Sequence, residues 1–181
     1  MKVAATVYDR ETGDILHVPA EGDPLPSPGD TVAAEIDWER RFRHMRIHTA
    51  LHLLCAIVPG GVTGGQIGDG KGRLDFDLGD HALDREALAA ELRRLVGEDR
   101  PVSARWITDA ELDAQPELVR TMRVKPPTGS GMVRLIEIEG IDLQPCGGTH
   151  VARTSEIGAL TIGKIENKGR HNRRINIALA E

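Results

Sequence analysis

The segment Arg46-Ile-His48-Thr-Ala-Leu-His52-Leu-Leu54 places two histidines four residues apart in an apolar run. Side chains at i and i+4 lie on the same face of a helix, so this pair can bind one metal ion. Further along the chain, Gln144-Pro-Cys146-Gly-Gly-Thr-His150 places a thiol and an imidazole four apart in a glycine-rich turn. Zinc favours four nitrogen or sulfur ligands in a tetrahedron. The two segments together predict a zinc site of three imidazoles and one thiolate.

Two other residues compete for the role of ligand, because His44 and Cys55 fall on roughly the same helical face. A face that runs from residue 44 to residue 55 is about 16 Å long, which is too long for one ion. We therefore interpret Cys55 as a small buried apolar residue, and His44 as a group that supports a ligand or faces RNA instead of binding the metal. The helix has no glutamate beside its first histidine, which excludes a zinc protease of the HExxH type. The spacing alone does not decide between a structural and a catalytic ion.

Composition limits the class of protein. The chain has 181 residues, 40 % of them hydrophobic, which is enough for one packed domain with a small appendage. The net charge of −5 argues against a broadly basic nucleic-acid binder but leaves room for a local basic groove. Only two cysteines occur, so we predict no disulfide framework and a reducing, cytoplasmic location. The sequence shows no targeting signal and no apolar run of about 18 residues that would span a membrane.

The pattern of elements predicts an α+β fold. Residues 2–8, 14–19 and 31–36 are expected strands of a short, apparently incomplete β-barrel-like module that covers residues 1–37. Asp37 is a good N-cap for a helix over residues 38–58, which Pro59-Gly-Gly61 ends. We assign residues 38–181 to one domain, with an antiparallel or mixed sheet and helices packed on one face. Its further expected elements are strands at 73–78, 101–107, 132–139, 159–166 and 173–180, a helix at 85–96, and a short helical region from Asp109 that Pro116 breaks.

Four ordered motifs carry a resemblance to a known family. Two of them are the histidine and cysteine segments quoted above, the second extended through Val151 and Thr154-Ser-Glu-Ile-Gly158. The others are Val62-Thr-Gly-Gly-Gln-Ile67 with Arg73-Leu-Asp-Phe-Asp-Leu78, and Lys164-Ile-Glu-Asn-Lys-Gly-Arg-His-Asn-Arg-Arg-Ile175. Over residues 30–181 the chain resembles the AlaX family, free-standing relatives of the editing domain of alanyl-tRNA synthetase, and is also similar to the editing region of threonyl-tRNA synthetase. Longer members of that family have a complete N-terminal barrel, and we expect this chain to begin partway through it.

The resemblance implies a trans-acting deacylase that hydrolyses the ester of mischarged tRNA(Ala), chiefly seryl-tRNA(Ala) and also glycyl-tRNA(Ala). It implies Zn²⁺ at His48, His52, Cys146 and His150, and the acceptor end of tRNA as partner. We expect no association with a membrane, and the sequence indicates no obligate protein partner. Two alternatives stay open: a zinc-stabilised tRNA- or RNA-binding module without turnover, and a zinc-dependent hydrolase of another acyl ester.

The resemblance and the residue types also nominate contacts to the substrate. A site that hydrogen-bonds the serine hydroxyl discriminates well against alanine, and Thr63 is the family position for this role, with Gln66 as a second polar candidate. Thr63 can instead bond locally within its turn. Asp142 is a candidate for positioning water near Cys146, although a loop carboxylate is often only solvated. Basic residues expected to contact tRNA phosphates, rather than only to solubilise the surface, are Arg46, Lys164, Lys168, Arg170, Arg173 and Arg174.

Overall fold

The computed structural model describes residues 1–121 and 131–180, and these fall into two compact units, Met1–Ile36 and Asp37–Glu181. In the first unit, β1 (Val3–Tyr8) pairs antiparallel with β2 (Ile15–Pro19). The carboxylate of Asp9 accepts the backbone N–H of Glu11 at 2.8 Å and so closes the turn between them.

The expected strand at residues 31–36 is not present, and the first unit contains a single two-stranded sheet. A strand forms only where a neighbour takes up its backbone hydrogen bonds, and the segment joins neither strand of the hairpin. No side chain of residues 1–36 is fully buried. The prediction of a barrel-like module is therefore not confirmed.

The second unit is built around the helix α1 (Trp38–Ile57), which begins where the Asp37 side chain accepts the N–H of Arg40 at 2.9 Å. The other helices are α2 (Arg85–Gly97) and α3 (Asp109–Asp113), with 3₁₀ turns at Pro116–Leu118 and Thr154–Ile157. The strands are β3 (Gly61–Gly68), β4 (Lys71–Asp77), β5 (Val102–Thr108), β6 (Met132–Ile138), β7 (Asp142–Pro145), β8 (Leu160–Ile162), β9 (Glu166–Asn167) and β10 (Asn172–Leu179).

The larger sheet has the order β3-β4-β10-β8, with β9 also paired to β10, and all these pairings are antiparallel. Alternate residues such as Phe76 and Ile175 point from it into the same core as the apolar faces of α1 and α2. A Cβ on Gly72 would lie 2.7 Å from Ile47 Cγ2, so glycine there lets α1 pack closely on β4. The expected α+β architecture with antiparallel strands is confirmed.

The smaller sheet has the order β5-β6-β7 and is also antiparallel. Its pairing continues one residue beyond β7, because the N–H of Cys146 donates to the carbonyl of Arg134 at 3.0 Å. This register fixes where the loop after β7 begins. No helix among the described residues is long and apolar enough to cross a membrane.

The structure contains two strands that the sequence did not predict, and it divides one that the sequence predicted as continuous. β3 was missed because it lies in the glycine-rich segment 60–72, which has low β-propensity, and β7 was missed because it is only four residues long. The single strand expected over 159–166 is divided into β8 and β9. The other predicted helices and strands of the second unit are present with ends shifted by a few residues.

Candidate metal centre

The four residues of the predicted ligand set lie together. α1 provides His48 and His52, and the loop after β7 provides Cys146 and His150. One potential ligand atom of each lies within 4.8 Å of the others. The Sγ atom of Cys146 is 3.4 Å from Nε2 of His48 and 3.4 Å from Nε2 of His150. This is an arrangement in which four side chains can share one small cation.

The charge states of the loop ligands suit a metal such as zinc. Burial raises the pKa of the Cys146 thiol, but the imidazoles of His150 and His48 outweigh it and bring the pKa to about 3. Burial, together with the charges of His52 and His48, lowers the pKa of His150 to about 4 although Cys146 opposes this. The site therefore offers a thiolate and a neutral imidazole, the forms that bind metal.

The imidazole of His52 is oriented from behind by Asp142. Its Nδ1 atom lies 2.9 Å from Oδ2 of that carboxylate, whose side chain is fully buried. The amide of Gln144 donates to the same oxygen at 2.7 Å, and Arg120 Nε lies 3.6 Å from the other. Burial opposes protonation of His52, yet the contacts with Asp142 and Cys146 raise its pKa to about 9. With Nδ1 held by the carboxylate, Nε2 is left for the metal. These contacts place Asp142 against His52, and its expected role in positioning water stays a prediction.

His150 has a comparable support in Thr49, one helical turn from Met45. The Thr49 hydroxyl donates to the carbonyl of Met45 at 2.9 Å and lies 3.1 Å from Nδ1 of His150. A hydroxyl that donates to the helix can accept from Nδ1–H, which leaves Nε2 of His150 facing Cys146. The backbone N–H of Val151 adds a third bond to the same hydroxyl at 3.3 Å.

The loop that carries Cys146 is fixed by an arginine and by a close contact. Arg134 Nη1 donates to the carbonyls of Cys146 at 2.9 Å and Gly148 at 2.8 Å. The His48 ring lies against Gly148, where a Cβ would come 2.2 Å from Cε1. The sequence analysis did not identify Arg134 or Thr49. Asp142 and Gln144 carried a usable signal, because residues 142, 144 and 146 alternate and so share one face of a strand.

The competing residues are outside the cluster. Nδ1 of His44 lies 2.7 Å from the carbonyl of Arg40, a contact within its own helix. Burial raises the pKa of the Cys55 thiol to about 12, with a further contribution from the charge of Asp142. Cys55 is thus a buried neutral thiol, as the sequence predicted, and His44 is not in the ligand group.

A cavity of about 370 Å³ adjoins the metal centre. Its lining includes Gln66, Leu51 and Gln144 beside three of the four ligands, His48, His52 and Cys146. Thr63 is not in that lining. Its hydroxyl donates to the carbonyl of Asp75 at 3.2 Å and accepts from Asn172 Nδ2 at 2.9 Å. The cavity has the position and size of a site for a small group presented to the metal.

The basic side chains predicted to contact tRNA differ in how far they are already paired within the protein. Arg174 binds both oxygens of Asp75, at 2.7 and 2.9 Å, and Lys168 Nζ is 2.8 Å from Glu166. Arg46 Nε donates to the carbonyl of Ile157 at 2.7 Å.

Three basic side chains in the C-terminal segment have less of their charge engaged. Arg173 Nη1 donates to backbone carbonyls, among them that of Gly169 at 3.3 Å. Lys164 and Arg170 are exposed and form no ion pair within the described residues. Of the six basic residues predicted to contact tRNA, these two have the charges most available to an anionic partner.

Comparison with known proteins gives consistent results. Residues 133–176 match the domain described as the threonyl and alanyl tRNA synthetase second additional domain. Over 93 % of this chain and 73 % of its own length, the alanyl-tRNA editing protein AlaX-M of Methanosarcina acetivorans is 36 % identical. The AlaX-M of Saccharolobus solfataricus is 33 % identical over 96 % of this chain and 75 % of its own length. The alanine–tRNA ligase of Korarchaeum cryptofilum is 39 % identical over 90 % of this chain, which covers 18 % of that enzyme.

Proposed function

The chain belongs to the AlaX family of alanyl-tRNA editing proteins, and from this premise we propose that it is a trans-acting aminoacyl-tRNA deacylase. It hydrolyses the ester of mischarged tRNA(Ala), chiefly seryl-tRNA(Ala) and also glycyl-tRNA(Ala). The observation that carries the proposal is the convergence of His48, His52, Cys146 and His150 beside a cavity of about 370 Å³.

We assign zinc to the four converging side chains, because a thiolate with three imidazoles is a donor set that zinc accepts. When bound, the ion would supply a positive charge that could either polarise the ester carbonyl or anchor the substrate. Asp142 and Thr49 hold the Nδ1 atoms of His52 and His150 so that each presents Nε2. Arg134 fixes the backbone of the loop that carries Cys146.

The adjoining cavity favours an enzyme over a zinc-stabilised RNA-binding module. A purely structural zinc site needs no cavity beside it, whereas this centre borders a space able to take an aminoacyl group. An aminoacyl ester is already activated, so positioning and charge stabilisation are the main tasks of such a site. The proposal needs a reduced Cys146, which favours the cytoplasm.

We propose that the unit Asp37–Glu181 is the editing domain and that its basic surface binds the acceptor end of tRNA. Lys164 and Arg170 contact phosphates directly in this proposal, since their charges are exposed. Arg173 and Lys168 contribute from the same C-terminal segment. Arg174 acts chiefly through its bidentate pair with Asp75, which joins β10 to β4.

Selectivity for serine is assigned to β3, where Thr63 and Gln66 are the candidates. If the Thr63 hydroxyl leaves Asn172 to bond the serine side chain, Thr63→Val removes that bond and keeps the shape. Hydrolysis of seryl-tRNA(Ala) should then fall by roughly ten- to a hundredfold, the effect of about 1–3 kcal/mol. Glycyl-tRNA(Ala) has no hydroxyl and should be hydrolysed nearly as before.

The control for this prediction is Gln66→Ala, because Gln66 lines the cavity beside the metal ligands. An equal loss of both substrates in Thr63→Val would show that Thr63 only supports β3 through Asp75 and Asn172. A selective loss of seryl activity in Gln66→Ala would assign the serine contact to Gln66.

The proposed function is tested by incubating the full chain with separately prepared seryl-, glycyl- and alanyl-tRNA(Ala) and measuring release of the amino acid. We expect hydrolysis of the seryl and glycyl esters and sparing of the alanyl ester. Cys146→Ala and metal-stripped protein should lose this activity. Full activity after metal removal would exclude any role of the metal centre in the hydrolysis. Hydrolysis of unrelated acyl esters, without hydrolysis of mischarged tRNA, would favour another esterase function.

A further inference from the structure

Three residues on neighbouring strands of the smaller sheet form one cross-strand row. Trp106 on β5 lies opposite Arg134 on β6. Cys146 donates its N–H to the carbonyl of Arg134 at 3.0 Å, which continues the β6–β7 register and places it opposite Arg134 on the other side. Residues directly opposite each other project to the same face of a sheet, so the order of side chains across the face is Trp106, Arg134, Cys146.

This face of the smaller sheet is the one that serves the metal centre. Asp142 and Gln144 alternate with Cys146 along the same strand and therefore share its face. Both lie against α1, where Asp142 contacts His52. The row that contains Trp106 thus ends at a predicted metal ligand, with Trp106 about 10 Å from Cys146, the width of two strand spacings.

Two members of the row, Trp106 at its outer end and Arg134 in its middle, present groups suited to a nucleic-acid end. Trp106 is 60 % exposed on an edge strand and takes part in no aromatic pair within the described residues. Arg134 uses Nη1 to hold the carbonyls of Cys146 and Gly148. No carboxylate pairs with Arg134 in the part of the chain that the structure describes. A single exposed indole needs no explanation by itself. Here, however, the indole lies beside a guanidinium with no carboxylate partner among the described residues, in the same cross-strand row as Cys146, and this placement calls for an explanation.

We propose that Trp106 and Arg134 form a platform for the single-stranded 3′ end of the tRNA substrate, with a base stacked on the indole and a phosphate facing the guanidinium. The inference rests on the proposed function and extends it. The scissile ester is on the ribose of the terminal nucleotide and would lie at the metal centre. The bases at the 3′ end would then lie within about one nucleotide of that centre, which is where Trp106 stands. Unpaired bases stack on aromatic side chains irrespective of their identity, and Arg binds phosphate in a fork geometry.

The test measures binding of two uncharged acceptor-stem minihelices to the full chain, one with the single-stranded 3′ end and one without it. Wild type should bind the minihelix with the end more tightly. Trp106→Ala should remove this preference, a loss of about tenfold in affinity, while Trp106→Phe should retain part of it. The matched control is Trp38→Ala, because Trp38 is 59 % exposed and lies far in sequence from the row. It should leave the preference unchanged.

Kinetics provides a second readout on mischarged tRNA. Trp106→Ala should raise KM by about tenfold with kcat nearly unchanged, since the indole is placed beside the RNA and not at the ester. Arg134→Gln should raise KM as well and reduce the salt dependence of binding by about one phosphate contact. Its metal content is measured in parallel, because Arg134 also holds the metal-ligand loop.

Failure of the inference is distinguishable from failure of the proposed function. If wild type deacylates mischarged tRNA but Trp106→Ala keeps both the preference and the KM, the platform is overturned and the editing activity stands. If wild type deacylates nothing yet binds the single-stranded end through Trp106, the platform is supported and the editing activity fails. An equal loss of affinity for both minihelices in Trp106→Ala would overturn the platform and indicate a structural role for the indole.

Discussion

Gly148 lies against the ring of His48, and the absence of a side chain there is what allows the contact. A Cβ would lie 2.2 Å from Cε1 of His48, so Gly148→Ala must displace either the imidazole or the loop. Because metal ligands tolerate little displacement, we expect zinc affinity to fall by about tenfold or more. The measurement is competition with a chelating indicator.

The neighbouring glycine provides a matched control. A Cβ on Gly147 would meet nothing within 4 Å, so Gly147→Ala should keep the affinity of the parent. Equal affinities for Gly148→Ala and wild type would mean that His48 is not held against this loop when the metal is bound.

We expect metal binding at the candidate centre to depend on pH through His52. Its pKa is raised to about 9, so at pH 7 the metal-free protein carries a proton on His52 that the metal must displace. The proton and the metal compete for His52, and the fraction of His52 that is protonated falls as pH rises through its pKa. The apparent zinc affinity should therefore rise by up to about tenfold per pH unit from pH 7 towards pH 9 and then level off. Cys146 and His150, with pKa values of about 3 and 4, lose no proton in that range.

Competition titrations at pH 7, 8 and 9 measure this slope. Asp142→Asn removes the carboxylate that holds the proton on His52, so its slope should be smaller, and its affinity at pH 9 should be about 10- to 100-fold weaker. A flat wild-type profile would contradict the assigned protonation of His52.

The sequence predicted the four converging side chains because their spacing is local, four residues within a helix and four within a turn. It did not predict Thr49 or Arg134 as their supports, since those contacts span 101 residues in one case and 12 in the other. Such contacts depend on how elements pack and on strand register. The hydrogen bonds of Thr63 were equally beyond prediction. The sequence marks Thr63 as a polar residue near the site, and only the structure shows that its hydroxyl bonds to Asp75 and Asn172.

At the scale of elements, the turn between β9 and β10 is the most exposed basic segment proposed to bind tRNA. Arg170 lies in this turn and is exposed, whereas Arg174 on β10 is engaged by Asp75. Arg170→Glu should raise KM for tRNA several-fold and reduce the slope of log affinity against log salt by about one phosphate contact. Arg174→Gln should change the salt slope much less, because its charge is already paired.

Filter-binding or fluorescence titrations over a range of salt concentrations give both quantities. Unchanged affinity and slope in Arg170→Glu would mean that the turn is only a solvated surface. A larger slope change in Arg174→Gln than in Arg170→Glu would show that RNA displaces Asp75 from Arg174.

Elements with strong local signals agreed with the sequence, and those without them did not. α1 has a capping aspartate, an apolar face and a terminating Pro-Gly-Gly, so both of its ends were predicted within about one residue. β3 contains four glycines among eight residues and becomes a strand only because β4 pairs with it. The segment 31–36 has the apolar residues of a strand but no partner in the hairpin of its unit. Pairing, which sequence patterns do not specify, decided both cases.

Across the whole molecule, the two units differ in how much of them is buried. The second unit contains a continuous core that runs from α1 and α2 to the larger sheet, and a smaller apolar cluster around Leu135. The hairpin of the first unit leaves large apolar side chains such as Tyr8 and Ile15 more than half exposed. A lone two-stranded hairpin is at best marginally stable in water, so the stability of the chain resides in the second unit.

The metal centre joins two parts of that second unit that are distant in sequence, α1 and the loop after β7. A metal that binds only the folded state stabilises it by RT ln(1 + [L]/Kd), about 2.7 kcal/mol when free zinc is 100-fold above Kd. For a protein of this size each kcal/mol raises Tm by about 2–4 °C, so zinc should raise Tm by about 5–11 °C over chelator-treated protein. Differential scanning fluorimetry with and without chelator measures the increment.

Two cysteine variants separate a ligand effect from a packing effect. Cys146→Ala should lose most of the zinc-dependent increment, because it removes a ligand. Cys55→Ala should lower Tm in both conditions, since Cys55 is buried in the core, yet keep the increment. An increment that survives in Cys146→Ala but disappears in Cys55→Ala would assign the metal to the helix thiol. No increment in wild type despite bound zinc would mean that the unfolded chain binds zinc about as tightly as the folded chain, and that the ion is not bound by the folded arrangement of α1 and the loop.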